Sequence, residues 1–169
     1  MRQTGRQVRI VVLLALLLGG TAVGARAAPG SKAARTPRVG SSITLRSDDE
    51  FLRVTLLAVR DPAYVLGAFG SPAPRNKLVS VLLKVANLGR DFYHDSPGNG
   101  TKLISASTRV YSTVLPGIDP NLDGLAGLSR GASEVGWLTF EVPAGMRPWR
   151  LRYVLDSGFA DQRGEWLLR

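Results

Sequence analysis

Six consecutive residues, Asp119 to Gly124 (DPNLDG), carry oxygen-bearing side chains at alternate positions. Asp119, Asn121 and Asp123 match the beginning of an EF-hand calcium loop, in which such side chains converge on Ca²⁺. The twelfth position, which is a bidentate glutamate in that loop, is Arg130 in this chain. Two interpretations follow. Either Asp119, Asn121 and Asp123 bind Ca²⁺, or they form a plain turn whose side chains accept hydrogen bonds from nearby backbone amides. No other cofactor is expected.

The single histidine, His94, lies between Tyr93 and Asp95, and Asp91 precedes it by three residues. An imidazole beside carboxylates can act as a general base, so a hydrolase centred on His94 is one hypothesis. The chain has no cysteine and its histidine lacks any zinc-ligand spacing. We therefore expect a surface histidine beside a turn, no catalytic residue, and a protein that is not an enzyme.

Three arginines, Arg147, Arg150 and Arg152, are candidates for binding an acidic polymer, because guanidinium groups pair well with carboxylates and phosphates. Arg150 and Arg152 alternate along one predicted strand and share its outward face. The alternative is that these arginines are simply solvated and discourage pairing of the sheet edge.

Trp137 is a further candidate for the binding surface. It has the opposite parity to Leu138 and Phe140, which we expect in the core. Trp137 is therefore either an exposed anchor for a partner or a side chain covered by the long connection at 115–133.

These residues must be positioned by short strands, because apolar residues alternate with polar ones through most of the chain. Val79, Val81, Leu83 and Val85 fall on one face of a predicted strand at 77–88. Further strands are predicted at 43–45, 50–61, 135–142, 149–156 and 165–169, with a hairpin at 102–111, and the expected core includes Leu52, Val54, Leu56, Ala58, Trp149, Tyr153 and Trp166. Seven or eight short strands separated by Gly/Pro turns predict an all-β, antiparallel sandwich.

The N-terminus has the pattern of a cleaved secretory signal. Arginines precede an uncharged apolar run, and Ala25 and Ala27 supply the small residues that signal peptidase requires. We predict a signal peptide at 1–27, a flexible basic linker at 28–40 and one domain at 41–169. Without a cysteine the product cannot be a lipoprotein or form disulfides. Although the net charge is +9, the chain from residue 41 onward has 15 basic and 13 acidic residues, which argues against a nucleic-acid partner.

Several landmarks in order resemble the secreted immunoglobulin-like domains of unknown function in exported proteins of actinobacteria and other Gram-positive bacteria. A strand ends in Asn-x-Gly, a hairpin ends in tyrosine, Phe-Glu-Val-Pro follows a turn glycine, and the last strand carries tryptophan (Asn87, Gly89, Tyr111, Leu128, Gly131, Phe140 to Pro143, Trp166). The resemblance covers roughly 41–168. It implies an immunoglobulin-like β-sandwich, secretion, and a non-enzymatic binding or surface role, with no catalytic residues to transfer.

The expected function is therefore a secreted binding or interaction module of the cell exterior. Its partner would be a protein or a cell-wall polymer, bound through loops 61–76, 89–102 and 115–133. We expect a monomer with no membrane anchor after signal cleavage. The alternatives are a Ca²⁺-dependent structural or adhesive domain and, more weakly, the hydrolase centred on His94.

Overall fold

The computed structural model describes residues 35–65, 71–125 and 127–169. The predicted signal peptide at 1–27 and the first part of the predicted linker lie outside these residues. The elements are eight strands and one helical turn: β1 (Ser42–Arg46), β2 (Phe51–Ala63), β3 (Asn76–Asn87), α1 (Pro97–Gly100), β4 (Thr101–Ser105), β5 (Val110–Ser112), β6 (Ser133–Pro143), β7 (Pro148–Val154) and β8 (Arg163–Leu167). Two short 3₁₀ turns occur at Leu122–Gly124 and Asp156–Gly158.

The strands form two four-stranded antiparallel sheets. Their orders are β1-β2-β3-β6 and β5-β4-β7-β8. The predicted immunoglobulin-like antiparallel β-sandwich is confirmed.

The core lies between the two sheets and follows the predicted alternation. Val79, Val81, Leu83 and Val85 of β3 are all fully buried. From the second sheet, Leu103, Leu151, Tyr153 and Trp166 are also buried and belong to the same core cluster. Burial of a large apolar side chain stabilises a fold by about 1.5–3 kcal/mol, so this cluster can hold the sandwich together without disulfides.

Two predicted core positions are wrong because bulges shift the side-chain phase. In β2, the register against β3 slips between Leu56 and Ala58, so that Ala58 lies opposite Leu82 and Val59 takes the inward position. In β7, the register slips where Ser105 pairs with Pro148 and Ile104 with Arg150. Trp149 lies at that slip and is 37% exposed.

The chain changes sheets on both sides of the sandwich. Before β1 joins β2, the backbone oxygen of Pro37 accepts a hydrogen bond from the Leu167 amide of β8. After β5, the Val114 amide donates to the Thr139 oxygen of β6. These crossings cover strand edges that would otherwise offer unpaired backbone groups. They also place residues 37–40, within the segment predicted as a linker, in contact with the domain.

Successive connections fall at alternate ends of the sandwich, because neighbouring strands run antiparallel. The connections at 47–50, 88–100, 113–132 and 155–162 finish at one end and contain nine acidic residues against two arginines. We call this the acidic end. Residues 64–65 and 71–75 of the β2–β3 connection lie at the opposite end, together with the connections at 106–109 and 144–147. The sequence of 64–75, 106–109 and 144–147 contains no acidic residue and three arginines, Arg75, Arg109 and Arg147. We call this the basic end.

Candidate functional site

A cavity of about 930 Å³ opens at the acidic end between three connections. Its walls are residues 46–50 from the β1–β2 connection, 92–95 from the β3–β4 connection, and 156–162 from the β7–β8 connection. Of the loops predicted to carry recognition, 89–102 lines this cavity, whereas the described parts of 61–76 and 115–133 do not. The rigid sandwich thus presents a concave surface built from loops, a common arrangement for binding sites.

Asn87, the last residue of β3, fixes the start of the second wall. Its side chain is buried and donates to the backbone oxygens of Asp91 at 2.8 Å and Leu128 at 2.9 Å. Its Oδ1 accepts from the Gly89 amide at 2.8 Å. The Asn-x-Gly motif is therefore an Asx turn that also ties the 88–93 loop to the 128–132 segment. Tyr93 and Leu128 exchange both backbone hydrogen bonds beside it.

Two carboxylates hold the third wall in a left-handed conformation. Asp156 and Ser157 have positive φ values of 53° and 49°, which side-chain-bearing residues rarely adopt. Glu50 Oε2 accepts from the Asp156 amide at 2.9 Å, and Asp95 Oδ2 accepts from the Ser157 amide at 2.6 Å. Asp95 Oδ1 also accepts from Ser157 Oγ at 2.5 Å and from the Ser96 amide at 2.7 Å. The cavity walls therefore brace one another.

The lining is strongly acidic. Its carboxylates face one arginine, Arg46, and one histidine, His94; they are Asp48, Asp49, Glu50, Asp95, Asp156 and Asp161. Burial raises the pKa of Glu50, and the negative charges of Asp95 and Asp156 add to that rise, while the hydrogen bond from the Asp156 amide opposes it. The cavity thus holds more negative charge than its own side chains neutralise.

Aromatic side chains complete the lining. Phe92 and Phe159 stand on different walls and are 56% and 84% exposed. Tyr93 is buried, and its hydroxyl lies 3.3 Å from that of Tyr153. Burial raises the pKa of both phenols, so both remain neutral hydrogen-bonding groups. The cavity therefore combines negative charge with exposed apolar rings.

The predicted calcium ligands are directed to different places. Asn121 Oδ1 accepts from the Asp123 amide at 2.9 Å, which is the hydrogen bond of the alternative turn interpretation. Asp123 faces α1, where the Ser96 hydroxyl lies 3.4 Å from its Oδ1 and a Cβ on Gly98 would overlap the carboxylate. Burial raises the pKa of Asp123 against the hydrogen bonds it accepts there. Asp119 is exposed. Among the described residues, no three His, Asp or Glu side chains are grouped to hold a metal ion. Binding of Ca²⁺ by this loop stays a prediction.

His94 is exposed and lies in the cavity wall. In the described ranges its ring is hydrogen-bonded only to the Phe92 oxygen, at 3.4 Å, and Asp95 is occupied by Ser157 instead of orienting the imidazole. Residues 127–131 (GLSRG) match the G-x-S-x-G pattern of a nucleophile elbow. They pair with Tyr93 through Leu128 and do not form the strand-to-helix turn of an elbow. The pattern match is therefore a turn sequence.

The predicted arginine stripe is partly neutralised. Arg150 and Arg152 both bind Glu165 of β8, at 2.8 and 2.9 Å. Arg147 is exposed at the basic end, away from these two side chains along β7. Arg147 is therefore separate from Arg150 and Arg152, which share the carboxylate of Glu165.

Trp137 is not an exposed anchor. It is only 7% exposed, and the guanidinium of Arg60 lies 4.3 Å from its ring centroid. Its amide donates to the Pro120 oxygen at 2.7 Å, so the 115–133 connection runs beside β6 at this position. The expected core roles of Tyr153 and Trp166 are confirmed.

The residues that build the cavity were missed in the sequence. Glu50, Asp156 and Phe159 belong to no recognisable motif, and their connections are separated by more than a hundred positions. The available signal was the run Asp48-Asp49-Glu50 in a hairpin turn, together with a second acidic turn at 156–161. Only the strand order brings these two turns together.

Comparison with known proteins identifies the fold. No family model matches this chain, and no curated protein matches it. The secreted protein MPT63 from Mycobacterium tuberculosis superposes with a TM-score of 0.59 at 15% identity, over 81% of this chain and 99% of that one. The yjhA protein from Bacillus subtilis superposes with a TM-score of 0.52 at 16% identity, over 79% of this chain and 100% of that one. Within the described ranges, no helix is long and apolar enough to span a bilayer. The chain therefore shares the β-sandwich fold of these proteins, the fold that the sequence resemblance predicted.

Proposed function

We propose that this protein is a secreted, non-enzymatic binding module that takes a positively charged partner into the cavity at the acidic end. The observation that carries the proposal is the composition of that cavity. Six carboxylates surround about 930 Å³ of space with one arginine and one histidine, in a chain whose net charge is +9. Charge of one sign, gathered in a concave site, attracts ligands of the opposite sign.

The exposed phenylalanines indicate that the partner has apolar groups as well as positive charges. Phe92 and Phe159 offer apolar faces on two walls, and an aromatic ring attracts lysine or arginine over its face. A basic peptide segment with apolar residues between its charges matches this combination. The carboxylates of the cavity would bind the cations of the peptide, and the two phenylalanine rings would contact its apolar side chains.

The hydrogen bonding of the cavity supports a binding role over a catalytic one. General base catalysis needs a base within hydrogen-bonding reach of its substrate and a group that orients the base. Glu50 and Asp95 are engaged with backbone amides of the opposite wall, and His94 receives no carboxylate partner in the described ranges. Secretion is supported by the signal-like residues 1–27 and by the likeness to a secreted sandwich protein.

The test uses the full chain and two decapeptides, one of alternating lysine and leucine and one of alternating glutamate and leucine. We expect the lysine peptide alone to bind, with NMR shift changes confined to the three connections around the cavity. The variant Asp48→Asn/Asp49→Asn/Asp161→Asn should weaken Kd about tenfold, since exposed ion pairs contribute about 0.5 kcal/mol each. The matched variant Asp91→Asn/Asp119→Asn/Glu134→Gln removes the same charge outside the cavity.

Equal weakening by the two triple variants would show that net charge, not the cavity, attracts the peptide, and would contradict the proposal. Phe159→Ala supplies a second readout. Its side chain is 84% exposed, so we expect unchanged thermal stability and weaker binding of the lysine–leucine peptide. Unchanged affinity would exclude Phe159 from the binding site.

A further inference from the structure

The basic end has no acidic residue in any of its three connections. Arg75, Arg109 and Arg147 each stand at the last position before a strand begins. All three are exposed. The sequence has only a small excess of positive charge from residue 41 onward, and the topology concentrates that excess here.

Hydrogen bonds and strand pairing bring the three connections together. The Arg75 oxygen accepts from the Ala144 amide at 2.8 Å, which joins the β2–β3 and β6–β7 connections. The Ser105 amide donates to the Arg109 oxygen at 2.9 Å, and Ser105 Oγ accepts from the Arg109 amide at 3.0 Å. Ser105 also pairs with Pro148, the residue after Arg147. The three connections that carry these arginines therefore adjoin one another.

Acidic side chains near this end are already engaged. Asp61 binds Lys77 at 2.6 Å. Glu141 accepts from the Asn76 side chain at 2.7 Å and from the Ala73 amide at 2.9 Å. None of the ion pairs in the described ranges includes Arg75, Arg109 or Arg147. Their charges are thus available to an external anion.

A concave groove lies beside them. It encloses about 430 Å³ and is lined by Arg38, Ala106, Trp149, Leu167 and Arg169. Trp149 is displaced from the core by the bulge in β7 and is 37% exposed. The guanidinium of Arg150, which is paired with Glu165, lies 4.8 Å from the centroid of the indole ring and covers one of its faces. A ligand would therefore pack on the opposite face or on the edge of the ring. A partly exposed indole in a groove that Arg38 and Arg169 also line, with further exposed arginines at the same end of the sandwich, suits a ligand that has both a rigid ring and negative charges.

We propose that the basic end binds an anionic polysaccharide. A sugar ring packs on Trp149 in the groove, and carboxylate, sulfate or phosphate groups of neighbouring units pair with Arg75, Arg109 and Arg147. The concave groove favours a chain-like ligand over a flat membrane surface. This binding is independent of the acidic cavity, which lies at the other end of the sandwich. Attachment through the basic end would leave that cavity open to the surroundings.

The test measures binding of heparin oligosaccharides to the full chain while NaCl rises from about 50 to about 300 mM, with neutral dextran oligosaccharides as the uncharged comparison. We expect heparin to bind with an affinity that falls as salt increases, and dextran not to bind. The variant Arg75→Asn/Arg109→Gln/Arg147→Gln should raise Kd about tenfold, because each of the three exposed ion pairs contributes about 0.5 kcal/mol. Asparagine is chosen at position 75 because its φ is 69°.

The matched control is Arg53→Gln/Arg90→Gln/Arg130→Gln, which removes three exposed arginines outside the basic end. Equal weakening by the two variants, or no binding by the unmodified chain, would overturn the proposal. Trp149→Ala should weaken heparin binding and leave binding of inorganic polyphosphate unchanged. The assignment to a polysaccharide fails if Trp149→Ala leaves heparin affinity unchanged, or if vesicles rich in phosphatidylglycerol bind more tightly than heparin. Heparin should also change the tryptophan emission of the unmodified chain, and because Trp137 and Trp166 emit as well, loss of that change in Trp149→Ala assigns it to Trp149.

Discussion

Replacement of Asn87 by alanine should loosen the cavity and destabilise the whole domain. The amide side chain of Asn87 makes three hydrogen bonds from a buried position, to Asp91, Leu128 and Gly89. Alanine leaves two backbone oxygens and one backbone amide without these partners. The 88–93 loop and the 128–132 segment then lose the side chain that joins them.

The expected cost is about 3 kcal/mol, because each of the three hydrogen bonds contributes about 1 kcal/mol net. For a domain between the size classes of 60–100 and 150–250 residues, 1 kcal/mol changes Tm by about 3–4 °C. Asn87→Ala should therefore lower Tm by about 10 °C in a calorimetric or circular-dichroism melt. Asn99→Ala is the matched control, because Asn99 is exposed and its side-chain amide makes only a long contact, 3.4 Å, with Ser157.

Hydrogen exchange locates the effect. The Tyr93 and Leu128 amides, which pair beside Asn87, should exchange faster in Asn87→Ala, and the amides of β7 should not change at temperatures far below Tm. A loss below about 1 kcal/mol, the scale of a single hydrogen bond, would refute the reasoning. So would uniform acceleration of exchange across both sheets, because the side chain would then not act on this loop in particular.

Three further outcomes are expected. Glu50→Gln should raise the free energy of unfolding at neutral pH. The folded state holds the pKa of Glu50 above its ordinary value of 4.5. Ionisation of Glu50 therefore destabilises the folded state as the pH rises through that raised pKa, and glutamine does not ionise. In pH-dependent melts the advantage of the variant should disappear below pH 4.5, and an advantage that grows in acid would contradict the assignment. Gly98→Ala should destabilise by about 1–3 kcal/mol in a urea titration, because its Cβ overlaps the Asp123 carboxylate; Gly145→Ala, with open space around it, is the control. For the predicted loop site at Asp119, Asn121 and Asp123, calorimetry with millimolar Ca²⁺ decides between the two interpretations: heat that Asp119→Asn abolishes supports the ion site, and no heat and no change of Tm supports the turn.

The sequence predicted burial correctly where apolar and polar residues alternate regularly along a strand. Val79, Val81, Leu83 and Val85 alternate without interruption, and a regular strand puts alternate side chains on one face. The two wrong core positions, Ala58 and Trp149, lie beside register slips. A bulge inserts one residue, so the side chains on its two sides no longer share one alternation of inward and outward positions. No residue type in these two segments predicts a bulge.

The candidate site was less predictable because its residues act across long distances in the chain. The sequence presents Asp123 as a candidate calcium ligand but does not show that its carboxylate lies against Gly98, because only the packing of α1 against the Leu122–Gly124 turn decides that contact. Glu50 and Asp95 stabilise the backbone of Asp156 and Ser157, and these hydrogen bonds join residues 106 and 62 positions apart.

The amino-acid sequence by itself determined the fold class and the alternating core, because both depend on residues close together in the chain. The tertiary structure alone decided where the charges go. From residue 41 onward the 15 basic and 13 acidic residues nearly balance, yet the connections at one end contain nine acidic residues and two arginines, and those at the other end contain three arginines and no acidic residue. The physical reason is the antiparallel topology: it sends alternate connections to opposite ends of the sandwich, so turns that are distant in sequence share one electrostatic field.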